Sequence, residues 1–144
     1  MKSSKIDDRI LVGEQPTERD LINLAEAGVR TIVNLRRTGE ANQPLDPKAE
    51  AAAAAAAGLT YHHVPVSISD LHAEQVTAVR TAIKEANGPV YIHCGMGQRA
   101  SALALTAIAP DNGQSAEDVL AQARASGFPV TDAELAAFIR RSLD

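Results

Sequence analysis

Val90-Tyr91-Ile92-His93-Cys94-Gly95-Met96-Gly97-Gln98-Arg99-Ala100-Ser101 is the stretch on which the fold turns. An apolar run ends at the only cysteine, two glycines follow within three residues, and an arginine then opens a helix-forming segment. The pattern reads as strand, tight loop, helix. Backbone N–H groups in such a loop can converge on an anion beside a helix N-terminus. The thiolate is the reactive form of cysteine, and a helix N-terminus or a neighbouring cation favours it. Arg99 supplies a planar fork that matches two oxygens of a tetrahedral oxyanion. Gly95 and Gly97 permit close approach and backbone angles that other residues disfavour. The combination suits nucleophilic attack by Cys94 on phosphorus or on a sulfur species.

Outward from that stretch, β-like and helix-like segments alternate. Arg9–Gly13 is a short strand candidate, and Thr17 before Glu18-Arg19-Asp20 marks a helix start. Val29–Leu35 is rich in β-branched residues and reads as a second strand. Asp46-Pro47 opens a helix that contains seven consecutive alanines and ends at Gly58. Leu59–Val66 is the third strand, and Ser67–Leu71 is a loop in which Ser69 or Asp70 can cap a helix over about 72–86. The helix after the central loop is expected over about 99–109, stopped by Pro110. Ser115 opens a further helix, and Thr131-Asp132-Ala133-Glu134 reads as a capping box for the last. Alternation of this kind predicts an α/β fold with a mostly parallel, buried sheet flanked by helices. In such sheets ligands bind beyond the carboxyl ends of the strands. Cys94, Arg36 with Arg37, and Ser67–Asp70 all follow such ends, so one mouth is expected to gather all three.

Composition narrows the options. The 144 residues suit a single domain, 1–144, with 1–7 as a loose start. Hydrophobic residues make up 45% but aromatics only 3%, so the core must be aliphatic. A net charge of −4 argues against a nucleic-acid or anionic-membrane partner held by charge. A single cysteine excludes an internal disulfide and a cysteine-rich zinc site, and no cofactor or metal is expected. The N-terminus lacks the apolar core of a signal peptide and no apolar run approaches the ~20 residues of a membrane span, so the cytoplasm is the expected location.

Cys-x4-Arg after an apolar strand and His, with Gly at the third position after Cys, resembles the cysteine phosphatase signature shortened by one residue. Gly13-Glu14-Gln15-Pro16-Thr17, Thr31–Arg36 with Gly39-Glu40, Ala56-Ala57-Gly58-Leu59, and Val64-Pro65-Val66 followed by Glu74-Gln75-Val76 extend the likeness over roughly residues 6–130. Together they resemble the phosphatase-like domain of the beta-lactamase-hydrolase-like family, a bacterial branch of the tyrosine and dual-specificity phosphatases. The resemblance implies a tyrosine-phosphatase-like α/β fold with a four- to five-stranded sheet. It implies hydrolysis of phosphotyrosine, of a phosphoprotein or of a small phosphoester through a phosphocysteine. Cys94 would be the nucleophile. The amides of Gly95, Met96, Gly97, Gln98 and Arg99, with the Arg99 guanidinium, would hold a phosphate- or sulfate-like anion. His93 would orient the loop, and Asp70 would act as general acid, with His72 as a rival. Ser101, Asn34 and Arg36 are candidate supports.

Two features depart from the family pattern. Ala100 stands where a serine usually follows the arginine, and a Cys-x4-Arg loop is also the length found in rhodanese-like sulfurtransferases. A persulfide-handling protein that uses Cys94, and a non-catalytic anion-binding module, are therefore the alternatives.

Overall fold

The computed structural model describes residues 1–144. Eleven elements follow one another: β1 (Ser3–Lys5), β2 (Ile10–Gly13), α1 (Glu18–Glu26), β3 (Thr31–Asn34), α2 (Pro47–Ala56), β4 (Thr60–His63), α3 (Ala73–Glu85), β5 (Val90–His93), α4 (Gln98–Asn112), α5 (Ala116–Ala125) and α6 (Ala133–Leu143). The sheet has five strands in the order β1-β2-β5-β3-β4. Only β1 runs antiparallel, pairing with β2. The start of the chain, expected to be loose, instead adds this edge strand, and the Lys2 N–H donates to Glu14 Oε1 at 2.7 Å.

β5 lies at the centre, parallel to β2 and β3, and all four of its residues are buried. The register sets Gly13 beside His93, His93 beside Asn34, and Asn34 beside His63. Four carboxyl ends thus finish in one row. Every segment that leaves the row emerges at the same edge.

The two faces of the sheet are filled differently. Leu21 and Leu24 of α1 and Ala54 of α2 pack with Ile32, Leu59 and Tyr91 on one face. The larger core covers the other, where α4 lies against α3, α5 and α6. Ala100 through Ala107 are all buried, because α4 is enclosed by the sheet and by its neighbouring helices. Small alanines permit that closeness, and Leu103 and Leu105 fill the remaining space.

Three helix boundaries differ from the sequence expectations. Pro110 lies inside α4 instead of stopping it. It occupies the last turn, which is closed by Gln114 N–H donating to the Ala109 carbonyl at 3.0 Å and by Gly113 in the left-handed region. His72, not Ser69 or Asp70, precedes the first residue of α3. Asp132, not Thr131, caps α6. Gln98 Oε1 holds the Thr131 and Asp132 N–H groups at 2.8 Å each, which fixes that turn from α4. No helix is long and apolar enough to cross a membrane.

Because Leu105 is fully buried in the densest layer, Leu105→Ala is expected to lower unfolding free energy by about 2–5 kcal/mol. Urea denaturation measures it, and a loss near zero would contradict the enclosed position of α4.

Candidate active site

Residues 94–97 turn directly from β5 into α4, and their backbone is held by partners outside the loop. The His93 Nδ1 faces the Cys94 carbonyl at 3.1 Å. Gln15 N–H donates to the Gly95 carbonyl at 3.2 Å. Carbonyl and N–H point in opposite directions across a trans peptide, so pinning these carbonyls outward turns the following N–H groups, of Gly95 and Met96, the other way. Gly97 N–H donates to Cys94 Sγ at 3.1 Å. The N–H groups of Gly95, Met96, Gln98 and Arg99 find no acceptor within the chain. They form a concave set of donors at the start of a helix of 15 residues, where the helix dipole adds positive potential.

Gly97 has φ +100°, and a Cβ there would enter the ring of Phe128, which packs against the loop. Both the backbone angle and the close approach require glycine. Tyr91 supports the loop from the other side. Its hydroxyl donates to the Glu14 carbonyl at 2.5 Å, steadying the segment that carries the Gln15 N–H. Burial, and then the nearby Cys94 charge, push its hydroxyl well above the usual tyrosine range, so it stays a neutral donor.

Arg99 is held on two sides. Nη1 donates to Glu40 Oε2 and to the Val66 carbonyl, each at 2.8 Å, and Nη2 donates to Glu40 Oε1 at 2.9 Å. The carboxylate thus occupies the end of the guanidinium. Nε–H and the second Nη2 hydrogen remain along its side, free to take two oxygens of an anion. Glu40 also accepts from Arg36 Nε at 3.0 Å and from the Arg37 N–H at 2.7 Å. Burial opposes its charge, but the hydrogen bonds from Arg99, Arg37 and Arg36 prevail and lower its pKa from 4.5 to about 2. Arg99 moves the opposite way. Burial works against its charge, and the Glu40 carboxylate and the Cys94 sulfur more than offset this and raise it.

A cavity of about 690 Å³ opens over the loop, lined by residues within 36–41, 67–69 and 94–99. Cys94 lies near its floor at 2% exposed, and Met96 stands at its rim at 77% exposed. The expected convergence of three segments is therefore present. Several individual positions differ from expectation. Asp70 is exposed and lines an adjoining groove of about 460 Å³ with His63, His72 and Glu74, and it is not part of the Cys94 cavity. His72 Nδ1 pairs with Glu74 Oε2 at 3.1 Å in that same groove. The Ser101 hydroxyl donates to the Phe128 carbonyl at 2.7 Å and so faces the 127–130 turn, away from the thiol. Asn34 binds Tyr61 and its own strand exit: Nδ2 donates to the Tyr61 hydroxyl and Oδ1 accepts the Arg36 N–H, at 2.9 and 2.8 Å. Arg36 is 3% exposed and its guanidinium donates to Glu40, Gln15 and the carbonyls of Ala41 and Asn42, which makes it a strut. The Gln98 side chain serves the 131–132 turn, leaving only its N–H for the loop.

Two residues went unassigned from sequence. Glu40 stood within a matched segment without a role. Glu50 lay hidden in the alanine-rich helix, yet it is fully buried and its Oε2 lies 2.6 Å from His93 Nε2. Between Lys48 and the alanines it reads as an ordinary first-turn helix acid, so the sequence carries no signal of its burial. No three His, Cys, Asp or Glu side chains converge where they could share a metal ion.

Comparison with known proteins places the chain in a family and a fold. The sequence profile of the phosphatase-like domain of beta-lactamase hydrolase-like proteins matches residues 5–111. The chain belongs to that family. Beta-lactamase hydrolase-like protein of Xylella fastidiosa (strain Temecula1 / ATCC 700964) is 38% identical over 129 residues, covering 89% of this chain and 30% of the relative. The chain thus spans about 30% of the length of the curated relatives it matches. Among solved structures, a candidate phosphatase from Neisseria meningitidis Z2491 superposes with a TM-score of 0.80 at 27% identity, covering 96% of each chain. P. aeruginosa TpbA, solved as a cysteine-to-serine variant in complex with pTyr, shares the fold with a TM-score of 0.76 at 17% identity, covering 96% of this chain and 82% of that one. This phosphatase-like domain of the beta-lactamase hydrolase-like family thus has the tyrosine-phosphatase-like α/β fold.

A carboxyl whose pKa is depressed on folding stabilises the fold above its unfolded value and loses that contribution as pH falls through the folded one. For Glu40 that window runs from 4.5 down to about 2. The stability difference between wild type and Glu40→Gln is therefore expected to be constant above pH 4.5 and to shrink towards pH 2. Urea titrations at stepped pH measure it, and a difference undiminished at pH 2 would contradict the ionised fork.

Proposed function

We propose that the chain is a cysteine-dependent phosphatase for aryl phosphoesters, phosphotyrosine among them. The observation that carries this reading is the alignment of one thiol with two sets of free donors. Gly95, Met96, Gln98 and Arg99 line the same cavity as Cys94, and their N–H groups and one side of the Arg99 guanidinium have no partner within the chain. Three phosphoryl oxygens can be held there while the sulfur attacks from below. Such preorganised donors favour the charge that develops in transfer.

In the first step an S–P bond forms and the bond from phosphorus to the leaving oxygen breaks. In the second, water attacks phosphorus, the S–P bond breaks, and phosphate leaves with the thiolate restored. Protonation of the leaving group restricts the substrate. The only carboxylate lining the cavity is Glu40, which is ionised and held by Arg99, so it has no proton to give. Asp70 lies in the adjoining groove. This arrangement favours leaving groups that depart as stable anions, which phenolic oxygens do and alkyl oxygens do not. The pTyr bound to TpbA agrees with that class of ligand. Met96 and Ile68 give the mouth its apolar contacts for a ring.

Cys94→Ser is expected to abolish turnover of p-nitrophenyl phosphate while inorganic phosphate still binds, as isothermal titration measures. Turnover undiminished in the variant would remove Cys94 from the mechanism.

A further inference from the structure

Glu50 has no part in the steps above, yet its burial is complete and its surroundings are specific. It sits in the first turn of α2, fully buried beneath the loop. Ions in such places are retained only with well-made partners. Glu50 has two: Gln15 Nε2 lies 2.6 Å from Oε1, and His93 Nε2 lies 2.6 Å from Oε2.

The chemistry of the donors fixes the direction of each bond. Arginine can only donate, so the Gln15 oxygen faces Arg36 Nη1 at 3.0 Å and the Gln15 amide nitrogen faces Glu50. The Cys94 carbonyl can only accept, so His93 Nδ1 carries a hydrogen. A second proton lies between His93 Nε2 and Glu50 Oε2. The imidazole is therefore held at both nitrogens, with the His93–Glu50 pair neutral as a whole. Glutamine at position 50 would be isosteric but uncharged: its amide N–H can meet a neutral His93 Nε2, so the change removes the shared proton and the carboxylate charge while keeping the shape.

We propose that Glu50 is a positioning residue of the anion-binding loop, acting through His93. Its carboxylate locks the imidazole, Nδ1–H holds the Cys94 carbonyl outward, and the Gly95 N–H is thereby turned into the cavity. The same carboxylate, through Gln15, Arg36 and Glu40, reaches Arg99 from the other side. The kinetic part of this proposal rests on the phosphatase reading, whereas the binding and protonation parts do not.

The test uses Glu50→Gln, His93→Asn and the double variant. Glu50→Gln is expected to lower kcat for p-nitrophenyl phosphate by about 10- to 100-fold, the scale of a misplaced catalytic frame. Inorganic phosphate should bind about tenfold more weakly by isothermal titration, with thermal unfolding checking that the fold is kept. In the His93→Asn background the same change should add nothing. Wild-type kcat and phosphate affinity in Glu50→Gln, or effects that multiply in the double variant, would overturn the proposal. A purely packing role would be rescued by the isosteric glutamine. Should Glu50→Gln fail to fold, long-range 1H–15N spectra of wild-type His93 decide: a protonated Nδ1 supports the proposal and an unprotonated Nδ1 overturns it. A wild-type protein without phosphoesterase activity would remove the phosphatase reading alone, because phosphate affinity and the His93 spectra would still judge Glu50.

Discussion

The two-pronged contact between Arg99 and Glu40 is the constraint on which the site depends. An arginine at the head of α4 has many rotamers, and a carboxylate on a facing loop selects one. The selection is worth more than an exposed ion pair because both partners are largely buried, at 16% and 12% exposed. It also determines which edge of the guanidinium remains for an anion. The 36–42 loop is itself held by Arg36, so the loop, the carboxylate and the arginine form one rigid assembly.

The sheet supplies the rest of the precision. Gly13, His93, Asn34 and His63 end in register, which brings the Gln15 amide, the Cys94 loop, the Arg36 strut and the Val66 carbonyl to one edge. A one-residue slip of β5 would reverse the facing of every side chain on it. His93 would then no longer meet Glu50. The buried polar chain from His93 through Glu50, Gln15, Arg36 and Glu40 to Arg99 thus links the register of the strands to the position of the arginine. The same chain holds Glu40, the one carboxylate that lines the cavity, in its ionised form, and the proposed preference for good leaving groups rests on that.

Much of this was legible in the residues. The Val90–Ser101 stretch announces strand, loop and helix, because β-branched and aliphatic residues give way to Gly95 and Gly97 within a few positions. Phe128 as the neighbour that makes Gly97 obligatory was not legible, since it comes from a turn 31 residues further along the chain. Pairings between distant polar groups were equally hidden. Ser101 is close to Cys94 in sequence, but a helical turn aims its hydroxyl at the Phe128 carbonyl. Asp70 follows the right strand, but the Ser67–Asp70 turn places it in the adjoining groove. Glu50 was invisible for the opposite reason: among alanines it reads as a solvated helix residue, and only the packing of α2 against the sheet buries it.

In the proposed mechanism phosphorus, and not sulfur, is transferred to Cys94. Rapid acid quench of the protein turning over p-nitrophenyl phosphate, followed by peptide mass analysis, tests it most directly. The expected result is a phosphoryl group on the Cys94 peptide that disappears as substrate is exhausted. An unmodified Cys94 during steady phosphate release, or a Cys94 that gains one sulfur atom from thiosulfate and never a phosphoryl group, would contradict it.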